Sequence, residues 1–236
     1  MKEQWKRMIP LCAFVLLCAA FGIYAGTYYH AEPEAEAALR TDGTVAVTKT
    51  WTGWYFDGPS EDDLLVFYPG AKVEETAYAP LLNRLAERGM DVFLVKMPFR
   101  LAFFGAGRAD EVFARYGHAN RYVGGHSLGG AIAANYAAKH GGDLAGVLLL
   151  AAYPTKKIDD RLALVSVYGS EDGVLNMEKV AAGRKYAPER YTEFVIEGGN
   201  HAQFGCYGEQ AGDGAALVSA EEQREEAVEA FLGSIS

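Results

Sequence analysis

The sequence predicts an α/β fold with a mostly parallel central sheet, helices on both faces of that sheet, and no lid domain. Apolar runs of strand length alternate with segments of helical spacing, which is the pattern of repeated strand–helix–strand units. We expect strands at 64–68, 91–97, 122–125, 145–151, 162–168 and 191–197. Only residues 152–161 separate two of these strands, and so short a segment cannot form a helical cap.

A serine framed by glycines follows the third predicted strand. Ser127 stands between Gly125 and Gly129, ahead of the Ala-rich segment 131–139. A strand, a sharp turn and a helix are therefore expected, with the serine exposed at the positive end of the helix. A hydroxyl in that position becomes a nucleophile once a base lies beside it. His126 is expected to shape the turn, with its side chain directed away from Ser127.

Two further candidate catalytic residues follow later predicted strands. Asp172 lies in the turn after strand 162–168, and His201 follows Gly-Gly-Asn after strand 191–197. Both turns belong to the sheet edge where open α/β sheets place their sites. Glu171 competes with Asp172, and we favour Asp172 because a short carboxylate before a glycine suits a fixed turn. In this hypothesis Ser127 attacks a carbonyl carbon, His201 transfers the proton and Asp172 orients the imidazole.

An oxyanion hole would complete this chemistry, because negative charge develops on the substrate oxygen. The backbone N–H of Leu128, directly after the nucleophile, is one expected donor. The second is expected from the loop after strand 64–68, which stops at Pro-Gly. Ala71 and Lys72 are the alternatives there, and we favour Ala71.

The order Ser127, Asp172, His201 resembles that of the α/β-hydrolase superfamily. The segments Tyr-Pro-Gly-Ala-Lys-Val at 68–73 and Gly-Gly-Asn-His-Ala-Gln-Phe-Gly at 198–205, with Gly-Asp-Gly at 212–214, look like those of compact bacterial members similar to dienelactone hydrolases and esterases. The resemblance covers residues 44–236 and implies the α/β-hydrolase fold and the triad. It does not imply a substrate. Many relatives begin the oxyanion loop with His-Gly, whereas this chain has Pro-Gly.

The composition of the chain excludes several classes of binding partner and cofactor. The net charge is −9, which argues against a nucleic-acid partner. Without residues 1–30 the net charge is −11, so the acidic domain has no obvious attraction to an anionic lipid surface. The three cysteines offer no disulfide within the region after residue 30, and no Cys/His spacing indicates a metal site. We expect no cofactor and no metal, and we interpret Asp213 as a turn residue.

The N-terminal segment is apolar enough to cross a membrane. Met8 to Tyr29 carries no charge, follows three basic residues and precedes three glutamates. Such a stretch spans a hydrocarbon core of about 30 Å as a helix. The basic flank is expected to stay cytoplasmic, which predicts a single-pass anchor with the catalytic domain extracytoplasmic. The alternative is a cleaved signal peptide and a secreted domain.

These observations predict three regions: an anchor or signal segment at 1–30, a spacer at 31–43 and a catalytic domain at 44–236. The function they favour is a serine hydrolase that cleaves small-molecule carboxylic esters through an acyl-enzyme. An acyltransferase or an amidase/peptidase with the same triad remains an alternative. A non-catalytic binding module with the same fold is the other alternative. The missing cap predicts an open, shallow site, for which Phe99, Phe103, Phe104, Phe204 and Tyr207 are candidate lining residues.

Overall fold

A computed structural model describes residues 2–41 and 43–235, with side chains from residue 8 onward except at position 103. The helices are α1 Lys2–Gly26, α2 Pro33–Ala37, α3 Ala79–Glu87, α4 Arg108–Arg115, α5 Leu128–His140, α6 Met177–Gly183 and α7 Ala220–Ile235. The strands are β1 Ala46–Lys49, β2 Gly53–Asp57, β3 Asp63–Tyr68, β4 Met90–Val95, β5 Asn120–His126, β6 Gly146–Leu150, β7 Ala163–Gly169 and β8 Arg190–Ile196.

The eight strands form one sheet in the order β1-β2-β4-β3-β5-β6-β7-β8. Pairing is antiparallel from β1 through β2 to β4 and parallel across the rest. The carboxyl ends of β3 to β8 therefore meet at one edge, which we call the carboxyl edge. The turn between β1 and β2 reaches the same edge, because Gly53 pairs with Val95 at the end of β4. The predicted mostly parallel sheet is confirmed.

Helices cover both faces of the sheet, as predicted. One core layer packs α3 and α7 against the sheet, with Leu82, Leu85 and Phe231 buried. The other layer packs α4 and α5 through Phe113 and Ala137. Because β3, β4, β6 and β7 are buried on both faces, they read in the sequence as mostly continuous apolar runs rather than alternating ones.

The helix ends follow local capping chemistry. Ser219 precedes α7, and its Oγ accepts a hydrogen bond from the backbone N–H of Glu222 at 3.1 Å. Asn176 does the same for α6, where Oδ1 accepts from the N–H of Lys179 at 2.9 Å. Each bond satisfies one backbone donor that has no partner within its helix.

The segment between β6 and β7 forms no lid over the sheet. No helix or strand forms within residues 152–161, all of which the structure describes, so the predicted absence of a lid domain is confirmed.

The N-terminal helix projects its apolar side chains outward. Within α1, residues Met8–Gly26 have a mean hydropathy of 2.3, and none of this stretch is buried. Its length and composition suit a membrane span or a signal segment. The chain then joins the domain, since Tyr29 forms a parallel bridge with Val73. The predicted spacer contains α2, and Glu34 there accepts a 2.6 Å hydrogen bond from the buried Arg224.

Candidate active site

Ser127 occupies a strained turn between β5 and α5. Its φ of 53° and ψ of −121° lie outside the usual regions for a residue with a side chain. The two glycines make this turn possible because the end of β3 passes very close to them. A Cβ at Gly125 would lie 2.5 Å from the carbonyl oxygen of Tyr68, and one at Gly129 would lie 2.1 Å from that same oxygen. The sequence therefore places the serine between the sheet and the start of α5.

The structure brings Asp172 and His201 together. Asp172 Oδ2 lies 2.8 Å from His201 Nδ1, and both side chains are almost fully buried. Asp172 Oδ1 accepts two further bonds, from the N–H of Val174 at 2.9 Å and the N–H of Leu175 at 2.7 Å. These bonds fix the carboxylate so that one oxygen is left for the imidazole. Glu171, the competing acid, is exposed, and its Oε1 accepts from the Ser170 hydroxyl instead.

Asp213 ties the two turns together, a role that the sequence analysis missed. Its Oδ1 accepts from the N–H of His201 at 3.1 Å and from the N–H of Gly173 at 3.1 Å. Its Oδ2 accepts from the N–H of Ala202 at 2.8 Å. A single carboxylate thus spans the segments that carry Asp172 and His201. The flanking glycines at 212 and 214 were the available signal, and they indicated a turn but not its partners.

Ser127 and His201 line one cavity of about 350 Å³ at the carboxyl edge. The other lining residues are Leu128, Ala131, Ala151, Ala152, Tyr153, Val174, Leu175, Asn176 and Lys179. His201 Nε2 is buried without a hydrogen-bond partner among the described residues, which leaves it able to accept a proton. In this substrate-free structure Nε2 therefore forms no hydrogen bond with Ser127 Oγ. Such bonds in substrate-free enzymes often tighten only when substrate is bound.

Two of the backbone donors predicted for the oxyanion hole have no hydrogen-bond partner among the described residues. Leu128 is the first residue of α5, so its N–H has no partner within the helix. In the loop after β3, the N–H of Gly70 donates to the Tyr78 hydroxyl and the N–H of Lys72 donates to the Arg100 carbonyl, each at 3.0 Å. No described hydrogen bond occupies the N–H of Ala71. Among the predicted alternatives, Ala71 is therefore the donor that stays available.

His126 links the elbow to that loop, a contact that the sequence did not reveal. Its Nδ1 lies 2.8 Å from the Tyr78 hydroxyl, which also accepts the N–H of Gly70. Its ring lies against that of His201, with 4.5 Å between centroids. The expectation that His126 shapes the turn agrees with these contacts. Burial, and next the neighbouring His201, holds the pKa of His126 well below its ordinary value of 6.5.

This buried neutral imidazole predicts acid sensitivity. Below pH about 6.5 the unfolded chain protonates His126 and the folded chain does not, so the unfolded state binds more protons and stability falls with decreasing pH. The contribution approaches about 1.4 kcal/mol per pH unit. We expect His126→Gln to flatten the decline in the free energy of unfolding between pH 6.5 and 5, measured in detergent by denaturant titration. An unchanged slope, with exposed His30→Gln as the control, would contradict this assignment.

The aromatic candidates do not line the cavity at Ser127. Phe204 and Tyr207 are buried in the core layer beneath α3 and α7. Phe99 and Phe104 are half-exposed on the loop after β4. The side chain of Phe103 lies outside the described residues.

No cluster of three or more metal-ligating side chains occurs within the part of the chain that the structure describes.

Comparisons with known proteins define the class. Residues 64–225 match the model of the alpha/beta hydrolase family. The match spans more than half of the chain, so the chain belongs to this family and is a hydrolase. No curated protein sequence gives a significant match.

Solved structures share the fold at low sequence identity. TT1662 from Thermus thermophilus superposes with a TM-score of 0.61 and 17% identity, covering 81% of this chain and 98% of that one. A dienelactone hydrolase from Anabaena variabilis gives 0.53 and 14%, covering 80% and 96%. A bacterial membrane phospholipase A gives 0.61 and 15%, covering 100% and 99%. The α/β-hydrolase fold predicted from the sequence is thereby confirmed.

Proposed function

We propose that this hydrolase is a serine esterase that cleaves carboxylic esters through an acyl-enzyme intermediate. The observation that carries the proposal is the 2.8 Å pair of His201 Nδ1 and Asp172 Oδ2, which leaves Nε2 free beside the cavity of Ser127. With Nδ1 donating to the carboxylate, Nε2 carries a lone pair and can accept the serine proton. Ser127, Asp172 and His201 are the catalytic residues of this proposal.

The reaction proceeds in two displacements. Ser127 Oγ attacks the ester carbonyl while His201 Nε2 takes its proton, and the N–H groups of Leu128 and Ala71 stabilise the oxyanion. His201 then protonates the departing alcohol, and the acyl group stays on Ser127. Water attacks that acyl group, His201 again accepts a proton, and Ser127 is released. An open cavity suits the second step because water reaches the acyl group without displacement of a cap.

The names of two similar structures support ester chemistry in this proposal. One similar structure is a dienelactone hydrolase, and another is a membrane phospholipase A. Dienelactones and phospholipids both carry a carboxylic ester bond.

A fluorophosphonate probe and a p-nitrophenyl acyl-ester series test the proposal. We expect the probe to modify Ser127, identified by peptide mass mapping, and we expect turnover of the short-chain esters. Phosphonylation requires a serine activated by its base, so denatured protein serves as the negative control. A folded protein that neither binds the probe nor cleaves any ester of the series would favour a non-catalytic module. Labelling without ester turnover would favour an amidase or an acyltransferase.

We also propose that residues 1–30 anchor the protein in the cell membrane, with residues 31–43 connecting to an extracytoplasmic catalytic domain at 44–236. The exposed apolar surface of Met8–Gly26 and the basic residues before it support this topology. Protease added to intact protoplasts is expected to degrade the domain, whereas an intracellular marker protein survives. Recovery of the protein in the medium with residues 1–30 removed would support the signal-peptide alternative. Protection of the whole chain would contradict both.

A further inference from the structure

Three loops form a continuous basic surface at the carboxyl edge, next to α1. They are residues 49–53, 69–73 and 96–108, and we call them the basic rim. The N–H of Lys96 donates to the Thr52 carbonyl at 2.8 Å, and the N–H of Lys72 donates to the Arg100 carbonyl at 3.0 Å. These bonds join the three loops into one surface.

The charge of the basic rim is opposite to that of the domain. Its three loops contain no Asp or Glu, and their five cationic residues are Lys49, Lys72, Lys96, Arg100 and Arg108. Of these, Arg108 alone forms an ion pair with a described carboxylate, that of Glu111 at 3.9 Å. Residues 31–236 as a whole carry a net charge of −11. The net charge used in the sequence analysis therefore concealed a local surface suited to anionic groups.

Large apolar side chains stand exposed on the same surface. Trp51 is 96% exposed, and Phe99 and Phe104 are each 51% exposed. Exposed aromatic residues beside cations are the usual composition of a surface that enters the membrane–water interface. The high exposure of Trp51 is unfavourable in water and is relieved if lipid covers this surface.

Contacts with α1 fix the position of the basic rim relative to the apolar helix. The rings of Phe21 and Phe99 lie 5.1 Å apart. Lys72 Nζ lies 4.6 Å from the ring centre of Tyr24, and the Arg100 guanidinium lies 3.2 Å from that of Tyr28. Phe21 belongs to the apolar stretch Met8–Gly26. Five residues separate it from the end of that stretch, or about 7.5 Å along a helix. With α1 in a bilayer, Phe99 therefore lies at the depth of the outer acyl chains.

The candidate active site opens at the same edge. Ser127 follows the end of β5, and β3 alone separates β5 from β4, which precedes the loop 96–108. Neighbouring strands lie about 4.8 Å apart, so the strand with the nucleophile is about 10 Å from the one that bears this loop. The loop 69–73, which holds the proposed oxyanion donor Ala71, belongs to both the site and the basic rim.

We propose that the basic rim docks on the anionic lipid surface of the membrane that holds α1, and that the active site takes an amphiphilic carboxylic ester from that membrane. Trp51, Phe99 and Phe104 enter the region between the lipid headgroups and the outer acyl chains, and the cations pair with lipid phosphates. The substrate half of this inference rests on the proposed esterase function. The docking half rests on the position, the charge and the exposed aromatic side chains of the basic rim.

Fluorescence quenching in vesicles tests the docking directly. The full chain carries Cys12→Ala and Cys18→Ala, while Cys206 stays because burial raises the pKa of its thiol to about 11 and keeps it unreactive. A nitrobenzoxadiazole label is attached at Trp51→Cys or, as the matched control, at Ala119→Cys, which is exposed at the opposite end of β5. The vesicles contain phosphatidylcholine with phosphatidylglycerol and a nitroxide near the top of the acyl chain.

We expect the nitroxide to quench the label at position 51 several-fold more than the label at 119, with less quenching in vesicles of phosphatidylcholine alone. Equal quenching at the two positions, or none at either, would overturn the docking. If the label at position 51 were shielded from water in native membranes but not in vesicles, the surface would bind a protein partner. That result would also overturn the docking on lipid.

The double variant Lys49→Gln/Lys96→Gln tests the substrate class. Each cation near an anionic surface strengthens docking about fivefold. We expect turnover of an ester embedded in anionic vesicles to fall about tenfold, while turnover of a water-soluble ester stays unchanged. An equal fall for both esters, or none for the embedded one, would contradict the inference. If the wild type cleaves neither ester, the esterase proposal fails, and the quenching result alone decides the docking.

Discussion

Ser127→Ala is expected to lower kcat for a p-nitrophenyl ester at least about 10⁴-fold, with little change in KM. The substitution removes the atom that attacks the carbonyl and leaves the cavity otherwise intact. Water in place of the hydroxyl has no covalent route through an acyl-enzyme, so the remaining rate reflects only binding and the oxyanion donors. Steady-state kinetics on the purified full chain in detergent measure the effect.

The fold is expected to survive this substitution. Ser127 has a positive φ, and alanine bears the same Cβ and the same backbone strain, so the cost of the turn is unchanged. The Ser127 side chain also forms no capping hydrogen bond at α5. The thermal midpoint should therefore stay close to that of the wild type. Ser60→Ala, in the loop before β3, is the control and should keep full activity.

A residual rate within about tenfold of the wild type would remove Ser127 from the mechanism. Unchanged fluorophosphonate labelling in Ser127→Ala would do the same, because the probe would then modify another residue. If Ser127→Ala lost both its activity and its folded state, Ser127→Cys would test the assignment instead. This variant keeps a nucleophilic atom in the same turn and should retain an acylation step.

The sequence was most informative where function depends on local backbone demands. The glycines at 125 and 129 predicted a sharp turn at Ser127. No other residue fits at these two positions, because a Cβ there would clash with the carbonyl of Tyr68. The strand before Asp172 was visible as an apolar run, and the strand before His201 as a segment rich in aromatic and β-branched residues, each followed by turn residues. Parallel pairing then brought their ends to one edge, so the members of the candidate site could be named from the chain order.

Contacts between distant segments were beyond the same reasoning. Asp213 lies 12 residues from His201 and 40 from Gly173 in the sequence. Nothing in the neighbouring sequence specifies the backbone N–H groups that donate hydrogen bonds to it. The bond between Tyr78 and His126 joins residues 48 positions apart. Overall net charge also gave the wrong impression of the surface, because it averages the basic rim with an acidic remainder.

Asp172→Asn is expected to lower kcat by about 10³- to 10⁴-fold while the cavity stays in place. The amide oxygen can still accept the N–H groups of Val174 and Leu175, as Oδ1 does now at 2.9 and 2.7 Å. That orientation directs the amide nitrogen, a donor, at His201 Nδ1. The imidazole must then accept at Nδ1 and carry its proton on Nε2, so it cannot take the proton of Ser127.

The matched control is Glu171→Gln, which makes the same change of charge one residue earlier. Glu171 is exposed and contacts the Ser170 hydroxyl rather than the imidazole, so kcat should stay within about twofold of the wild type. Comparing the two variants separates tautomer control by Asp172 from a general loss of negative charge near the site. A large effect of Glu171→Gln with a small effect of Asp172→Asn would assign the third catalytic role to Glu171. That result would require the turn after β7 to rearrange when substrate binds, since the carboxylate at His201 Nδ1 in this structure is that of Asp172 and not that of Glu171.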